Sequence, residues 1–248
     1  MTIKAITLDL WDTIYHDCPQ RDATRGQLRL ELIHQRLYEL GFAVERARLK
    51  AAVRRAADAS KRQWDEEHFT PGAQERLLAA AALLGISLPE EEALRLAGEV
   101  EAVGHSYPPL PFAESKETIA RLAGQYTLAI ISDTGQTSGR MLRRVLERDG
   151  LLDYFAVFTF SDEAGASKPN EKAFRLTLER LGVSPEEAVH VGDNETKDTV
   201  GALNAGMTTI HLAAQPSLSY GSHPRYYQAE RIGQVPLLLD SLPVGAGA

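Results

Sequence analysis

The sequence predicts an α/β fold in which a doubly wound parallel sheet carries an inserted, all-helical domain. From about residue 110 onward, short apolar runs alternate with helix-like segments, the pattern of parallel strands joined by crossover helices. A similar apolar run at the start of the chain ends at Asp9, and several of the later runs also end in acidic or hydroxyl residues. Between residues 15 and 107 only helical periodicity is present, so we expect a separate helical domain in one connection of the sheet.

We therefore predict an α/β core from residues 1–14 and 108–248 and a helical cap from residues 15–107. The 248 residues are 44% hydrophobic and 25% charged, an ordinary composition for a globular protein. A net charge of −7 gives no basic field for nucleic acid. Cys18 is the only cysteine, which excludes an internal disulfide and fits a reducing compartment.

The chain begins close to a strand-like run without a signal-peptide pattern, and no apolar run is long enough to span a bilayer. We therefore expect a cytoplasmic protein without a membrane partner. The last residues, 244–248, consist of valine, glycine and alanine and are expected to fray.

The first strand, Ile3 to Leu8, has apolar residues at most positions, as a strand buried on both faces should. The cap follows as four helices. The first two are predicted at 27–40 and 44–64; Pro71-Gly72 opens the third and Pro89 the fourth, since proline suits the first helical turn. A proline-rich linker at 107–111 ends the cap.

Beyond the linker, strands and helices alternate. The predicted strands are 126–131, 156–160, 188–191 and 207–212, and the predicted helices are 113–123, 137–148, 171–181, 198–205 and 235–242. Ligands of such sheets bind beyond the carboxyl ends of the strands, so polar residues that directly follow strands are the candidate site.

Four polar clusters occupy these positions: Asp9 to Thr13, Ser132-Asp133, Ser167-Lys168-Pro169, and Gly192-Asp193 to Asp198. Each has an ordinary structural explanation when taken alone. Ser132 would cap a helix, Lys168 would be a solvated surface charge, and the last cluster would cap the next helix. Their occurrence together, each after a strand, favours a catalytic site.

This set of residues suits phosphoryl transfer. Asp9 would be the nucleophile, and Asp9 and Asp193 would supply the carboxylates that Mg²⁺ prefers, with a backbone carbonyl of the Asp9 loop as a further ligand. Ser132 and the amides after it would hold phosphate oxygens at a helix N-terminus. Lys168 would keep Asp9 ionised and offset the charge of the intermediate.

The clusters resemble the four motifs of the haloacid dehalogenase (HAD) superfamily of aspartate-nucleophile hydrolases. The resemblance covers residues 1–14 and 108–213, and the helical block resembles the family's helical (C1) cap in position and length. The matching segments are Asp9-Leu10-Trp11-Asp12-Thr13, Ile131-Ser132-Asp133, Ser167-Lys168-Pro169, Val191-Gly192-Asp193 through Asp198, and Gly201-Ala202 with Ala205-Gly206.

The resemblance implies a Rossmann-like core and the remaining site residues. Asp133 and Thr13 would bind the phosphate together with Ser132. The Trp11 carbonyl would be the backbone ligand of Mg²⁺, and Asp198 would contact the ligands without binding the ion itself. It also implies an aspartyl-phosphate intermediate and a small phosphorylated metabolite as substrate. The expected enzyme is a phosphoric monoester hydrolase.

The chain departs from the phosphatase pattern at Trp11. Phosphatases of the superfamily carry a second aspartate there, which protonates the leaving alcohol, and indole has no proton for this task. The family's dehalogenases often have an aromatic residue at this place, which favours a metal-independent 2-haloacid dehalogenase acting on a halogenated acid. Asp193 favours the phosphatase, because those dehalogenases tend to lack it. A degenerate member that binds a phosphorylated ligand or acts as a scaffold is the third hypothesis.

Overall fold

The computed structural model describes residues 2–16 and 18–242; the fraying predicted for 244–248 lies outside the described residues. The chain forms two compact units. The α/β unit comprises Met1–Asp17, Leu110–Asp133 and Leu146–Ala248, and the helical unit comprises Cys18–Pro109 and Thr134–Val145. Residues 134–145, which the sequence interpretation placed with the core, therefore cluster with the helical unit.

The strands and helices follow each other in the order that the sequence predicts, with additions. The strands are β1 (Ala5–Leu8), β2 (Tyr15–His16), β3 (Leu110–Pro111), β4 (Thr127–Ser132), β5 (Phe155–Phe160), β6 (Ala188–Gly192), β7 (Thr208–Leu212) and β8 (Tyr226–Ala229). The α-helices are α1 (Pro19–Glu39), α2 (Arg46–Arg62), α3 (Ala73–Leu83), α4 (Glu90–Ser106), α5 (Ser115–Ala123), α6 (Gly139–Arg148), α7 (Ser161–Ala164), α8 (Glu171–Leu181), α9 (Gly201–Asn204) and α10 (Val235–Ser241).

The main sheet confirms the predicted doubly wound α/β core. Its strand order is β5-β4-β1-β6-β7-β8, and every neighbouring pair is parallel. All residues of β1 and β6 are buried, which explains their apolar sequences. The central strand β1 pairs with β4 on one side and β6 on the other, so Thr7 lies in register with both Ala129 and His190.

Besides the short helix α7, three further features were not predicted. Strand β8 adds an edge to the sheet beyond β7; its Tyr-Tyr-Gln-Ala sequence is only partly buried and lacks an apolar run. β2 and β3 pair antiparallel where the chain leaves and re-enters the α/β unit. The end of α2 continues as a π-helical turn, Gln63–Glu67, which His68 ends in the left-handed conformation with φ 52°.

Helix α1 begins at Pro19, earlier than the residue 27 predicted from leucine spacing. Its buried face is formed by Arg25, Arg29, Ile33 and Leu37. The two arginines thus extend the buried face of Ile33 and Leu37 toward the N-terminus of the helix. Arg29 donates hydrogen bonds to the Val100 carbonyl (3.3 Å) and to the Gln136 side chain (2.9 Å). Arginine is rarely expected on a buried face, so a leucine pattern does not mark the first turns of this helix.

The helical unit has its own hydrophobic core. Helices α1 to α4 pack their apolar faces together, and the fully or nearly buried side chains include Leu37, Leu49, Leu77, Leu96 and Val100. Among the residues that the structure describes, no helix has both the length and the apolar character needed to cross a bilayer.

Candidate active site

The carboxyl ends of β1 and β6 bring the predicted acidic residues together. Asp9 follows β1, and its backbone N–H donates to the Val191 carbonyl of β6 (2.9 Å), so pairing of the two strands continues to Asp9. Asp193 follows β6 directly. One carboxylate oxygen from each of Asp9, Asp193 and Asp198 lies within 4.8 Å of the other two, close enough for the three side chains to hold one cation.

Lys168 forms ion pairs with two members of this group. Its Nζ is 2.8 Å from Asp9 Oδ1 and 2.5 Å from Asp198 Oδ1. Lys168 and Asp198 are essentially inaccessible to solvent, and Asp9 is only 6% exposed. Buried ammonium and carboxylate groups require such pairing because desolvation of an isolated charge is costly. The surface-charge explanation of Lys168 is therefore excluded.

Asp198 is held by three donors from three parts of the chain. Its Oδ1 accepts from Lys168 Nζ and lies 3.1 Å from His190 Nε2, and its Oδ2 accepts the Asn194 N–H (2.9 Å). A Cβ at Gly192 would come within 2.3 Å of Asp198 Cγ, so the close approach of Asp198 requires a glycine there. Asp198 follows Asn194 in a π-helical turn, Glu195–Val200, where an α-helix from 198 was predicted.

The electrostatics of the three carboxyl groups differ. Burial, with a further contribution from the Asp198 charge, raises the pKa of Asp9 to about 7, although Lys168 acts in the opposite direction. Burial and the charges of Asp198 and Asp12 raise the pKa of Asp193 to about 6. Burial alone would also raise the pKa of Asp198, but Lys168 and His190 lower it below its usual range. Asp198 is therefore the permanently ionised member.

The candidate phosphate-binding residues lie at the end of β4 and in the Asp9 loop. Ser132 is buried and its hydroxyl donates to the Asp133 carbonyl at a long 3.4 Å. Asp133 Oδ1 accepts the Lys168 backbone N–H (2.9 Å), and its Oδ2 is 3.6 Å from Lys197 Nζ. Asp133 thus joins the segments that carry Lys168 and Asp198. Thr13 Oγ1 is buried, and no described residue forms a hydrogen bond with it.

Helix α6 begins at Gly139, two residues after the predicted start at 137, and residues 133–138 between Ser132 and the helix are not helical. The amides that directly follow Ser132 therefore lie before the helix and not in its first turn. Arg29 donates to the Gln136 carbonyl (3.2 Å) and to Thr137 Oγ1 (3.5 Å), so this segment is hydrogen-bonded to α1.

Trp11 and Asp12 form a tight loop after Asp9. The Asp12 N–H donates to the Tyr15 carbonyl (2.6 Å), and both the Ile14 and Tyr15 N–H groups donate to the Leu10 carbonyl (3.0 and 2.9 Å). The Trp11 indole N–H donates to the Asp133 carbonyl (3.2 Å), so its one donor is already engaged. Asp12 has φ 52°, the left-handed conformation that aspartate tolerates better than most residues.

Sequence reasoning missed Thr7 and His190, which stand behind Asp198. Both are completely buried, and His190 Nδ1 lies 2.8 Å from Thr7 Oγ1. The signal was present in the sequence, because a histidine interrupts the apolar run Ala188 to Val191. A polar residue in a buried strand requires a hydrogen-bonding partner, and that partner is found only from the register of β1 and β6.

A parallel sheet with a buried aspartate, lysine and two further aspartates at its carboxyl edge defines the class of hydrolases that use an aspartate nucleophile. The chain belongs to the haloacid dehalogenase-like hydrolase family, whose model matches residues 3–206. This agrees with the resemblance stated from the four motifs.

Individual relatives include both phosphatases and dehalogenases. The chain is 30% identical over 259 aligned residues to a phosphoserine phosphatase of Thermus thermophilus, an alignment covering 93% of this chain and 100% of the relative. It is similar to a 2-haloacid dehalogenase from Pseudomonas syringae pv. tomato (25% identity, TM-score 0.67, covering 96% of this chain and 99% of that one). The fold also matches a HAD phosphatase from Thermococcus onnurineus (23% identity, TM-score 0.63, covering 98% and 100%).

Proposed function

We propose that this protein is a Mg²⁺-dependent phosphatase that hydrolyses a small phosphorylated metabolite through an aspartyl-phosphate on Asp9. The observation that carries the proposal is the convergence of the Asp9, Asp193 and Asp198 carboxylates, two of which pair with Lys168. A phosphatase of similar length, from Thermus thermophilus, supports it over nearly the whole chain. Placement of the protein in the helical-cap subgroup, with residues 15–107 as its cap, belongs to the same proposal.

The acidic residues fit a divalent cation. Three carboxylates with one ammonium between them leave an excess of negative charge, and burial and mutual repulsion raise the pKa values of Asp9 and Asp193 to about 7 and about 6. Hard oxygen ligands of this kind suit Mg²⁺. Asp9, Asp193 and the Trp11 carbonyl would hold the ion. When bound, Mg²⁺ supplies positive charge that favours ionised Asp9 and neutralises phosphate oxygens.

In the first step an Asp9 carboxylate oxygen forms a bond to phosphorus while the bond from phosphorus to the leaving oxygen breaks. In the second step a water oxygen forms a bond to phosphorus while the bond from phosphorus to Asp9 breaks. The Asp9 carboxylate is restored, and inorganic phosphate leaves with the protons of that water, which it exchanges with solvent. Lys168, 2.8 Å from Asp9 Oδ1, favours the ionised nucleophile before the reaction and after it. The buried hydroxyl groups of Thr13 and Ser132 are suited to donate hydrogen bonds to oxygens of the transferred phosphoryl group.

Trp11 shapes the substrate range under this proposal. The leaving oxygen must take its proton from solvent or from the substrate, because indole cannot supply one. Substrates with good leaving groups, such as acyl or aryl phosphates, are therefore favoured over alkyl phosphates. Cys18 as the single cysteine supports a cytoplasmic location for this activity.

The second candidate is a 2-haloacid dehalogenase. The aromatic residue at position 11 and the similarity to the Pseudomonas syringae enzyme favour it. Asp9 would then attack carbon, halide would leave without protonation, and water would hydrolyse the resulting ester. The buried acidic cluster weighs against this candidate, because a reaction that needs no cation gains nothing from three repelling carboxylates.

One experiment separates these functions. The purified protein is incubated with a panel of phosphate esters and with chloroacetate, each with Mg²⁺ and with EDTA, and released phosphate and halide are measured. Mg²⁺-dependent phosphate release supports the phosphatase. EDTA-resistant halide release supports the dehalogenase, and the absence of both products supports a degenerate binding protein.

The position of the attacked atom gives a second, independent criterion. In a single turnover in H₂¹⁸O, attack of water on phosphorus puts the label into phosphate and leaves Asp9 unlabelled. Ester hydrolysis in the dehalogenase puts the label into the Asp9 carboxylate. Mass spectrometry of the peptide containing Asp9 reads out the difference, and Asp9→Asn is expected to abolish either reaction.

A further inference from the structure

His190 is a buried histidine that the proposed chemistry does not use. It lies in the middle of β6, is 0% exposed, and has both ring nitrogens within hydrogen-bond distance of a partner. Its Nδ1 is 2.8 Å from Thr7 Oγ1 on the neighbouring strand β1, and its Nε2 is 3.1 Å from Asp198 Oδ1. A buried polar group bonded at both ends is strongly oriented.

The partners determine which nitrogen carries the proton. Asp198 is ionised, so it accepts, and Nε2 of His190 must carry the hydrogen that it receives. Burial lowers the pKa of His190, which favours the neutral ring, and a neutral ring with its hydrogen on Nε2 presents a lone pair at Nδ1. The Thr7 hydroxyl then donates to Nδ1 at 2.8 Å in preference to the Val189 carbonyl, which lies 3.5 Å away.

We propose that His190, oriented by Thr7, is a positioning residue that fixes the Asp198 carboxylate and thereby the sharing of Lys168 Nζ between Asp198 and Asp9. The proposal rests on the proposed function, because it describes how the reactive geometry around Asp9 is maintained. Asp198 Oδ1 receives Lys168 Nζ and His190 Nε2 together. The hydrogen bond from His190 Nε2 stabilises part of the negative charge on Asp198 Oδ1. Asp198 therefore binds the Lys168 ammonium less exclusively, and the ammonium also pairs with Asp9.

The packing around His190 leaves this arrangement little freedom. The Phe174 ring packs edge-on against the imidazole, with centroids 5.2 Å apart and an interplanar angle of 82°. Phe174 can approach only because residue 201 is glycine, whose added Cβ would come within 2.5 Å of the ring. In the same way, the absence of a side chain at Gly192 leaves the space that the Asp198 carboxylate occupies. Interiors packed this closely hold side chains in single orientations, as a positioning role requires.

The tautomer can be measured without any enzymatic assay. We expect the His190 ring, observed by ¹⁵N NMR of histidine-labelled protein without metal, to carry its proton on Nε2 and to remain neutral near pH 7. The His190→Gln spectrum identifies the His190 signals among those of the seven histidines by their loss. A neutral ring with its single hydrogen on Nδ1 would overturn the proposal, because Nε2 would then have no hydrogen to donate to Asp198.

Two matched pairs of variants test the positioning role. The amide nitrogen of glutamine reaches about as far as histidine Nε2, whereas asparagine reaches only as far as Nδ1. We expect His190→Asn to lower kcat about ten- to a hundredfold, the usual range for partners that orient catalytic ligands, with little change in KM. His190→Gln should recover most of the wild-type kcat. Equal loss in both variants would indicate a packing role only and would contradict the proposal.

Thr7 and Thr209 form the second pair, because they lie in register with His190 on its two sides. The Thr7 hydroxyl is hydrogen-bonded to His190 Nδ1. The buried Thr209 hydroxyl has no hydrogen-bond partner among the described residues. Thr7→Val should lower kcat about fivefold, the effect of one ordinary hydrogen bond, and Thr209→Val should leave it unchanged. In the His190→Gln background Thr7→Val should add no further loss.

These outcomes are distinguishable from failure of the proposed function. Were the wild type to hydrolyse no phosphate ester, the phosphatase proposal would fail, and the ¹⁵N spectrum and the metal-free stability of the variants would still test the Thr7–His190–Asp198 chain. An active wild type with a fully active His190→Asn variant would leave the phosphatase standing and remove the positioning role.

Discussion

Lys168 Nζ lies 2.8 Å from Asp9 Oδ1 with both side chains buried, and the same ammonium also pairs with Asp198. The one ammonium group of Lys168 therefore forms ion pairs with two buried carboxylates that follow different strands. Burial lowers the pKa of Lys168, but the charges of Asp198 and Asp9 outweigh it and raise the pKa above its usual range. Lys168 thus remains charged throughout the range in which enzymes work.

Replacement of Lys168 by methionine should abolish hydrolysis and destabilise the fold. Methionine keeps much of the side-chain volume but leaves Asp9 and Asp198 without their shared cation, and breaking a buried ion pair costs about 3–5 kcal/mol. Urea unfolding and initial rates measure the two effects. Lys172→Met is the matched control, since Lys172 is exposed on α8; equal stability of the two variants would contradict the expectation.

Mg²⁺ affinity should increase with pH between about 5 and 8. A protonated carboxyl must release its proton before it binds the cation, and the pKa values of Asp193 and Asp9 are raised to about 6 and about 7. Below this window both groups are protonated and binding is weak, whereas above it they are ionised and binding is strong. Calorimetry in two buffers of different ionisation enthalpy measures the protons released.

The same titration has a control within the site. Asp193→Asn removes the group that titrates near 6, so the remaining pH dependence should be confined to the region around 7 and the affinity should fall at every pH. An affinity that does not change with pH in the wild type would show that Asp9 and Asp193 do not bind the ion.

Gly192→Ala should lower activity through Asp198 rather than through the backbone. The new methyl group would come within 2.3 Å of Asp198 Cγ, so the carboxylate must move away from Lys168 and His190. Overpacking of this kind costs about 1–3 kcal/mol. Gly124→Ala, where the nearest atom lies at 3.4 Å and φ is −70°, should change neither kcat nor the free energy of unfolding.

Most of the sheet could be predicted because its information is local. Buried parallel strands have apolar sequences, and the acidic or hydroxyl residues after β1, β4 and β6 mark the edge where ligands bind. The fold class and the Asp9, Lys168, Asp193 and Asp198 cluster follow from this pattern and the four motifs. The start of α1 could not be predicted, because Arg25 and Arg29 form its buried face and only tertiary partners make that possible.

The contact between His190 and Thr7, which lies behind the site, could not be predicted from the sequence either. His190 and Thr7 are 183 residues apart, and their contact depends on the register of two strands that no local pattern specifies. Helix α6 begins at Gly139 rather than at the predicted 137, and the segment before it accepts a hydrogen bond from the distant Arg29. The contacts near the site that the sequence did not predict therefore join residues far apart in the chain.

The last prediction concerns Trp11, whose indole N–H is engaged with the Asp133 carbonyl at 3.2 Å and cannot protonate a leaving group. General acid catalysis is typically worth about 10²–10⁴-fold, so the wild-type rate should depend steeply on leaving-group pKa. Acetyl phosphate and p-nitrophenyl phosphate should be far better substrates than sugar phosphates. Trp11→Asp should improve the poor leaving groups selectively, whereas Trp11→Phe should keep the steep dependence.

Asp12 provides the decisive control for this prediction. It is the neighbouring acid, exposed and held at φ 52°, and Asp12→Asn removes its proton while keeping a residue that tolerates the left-handed conformation. If Trp11 leaves the site without an acid, Asp12→Asn will not change the slope of rate against leaving-group pKa. A shallow slope in the wild type that becomes steep in Asp12→Asn would instead identify Asp12 as the proton donor, because only loss of the acid makes leaving-group quality limiting.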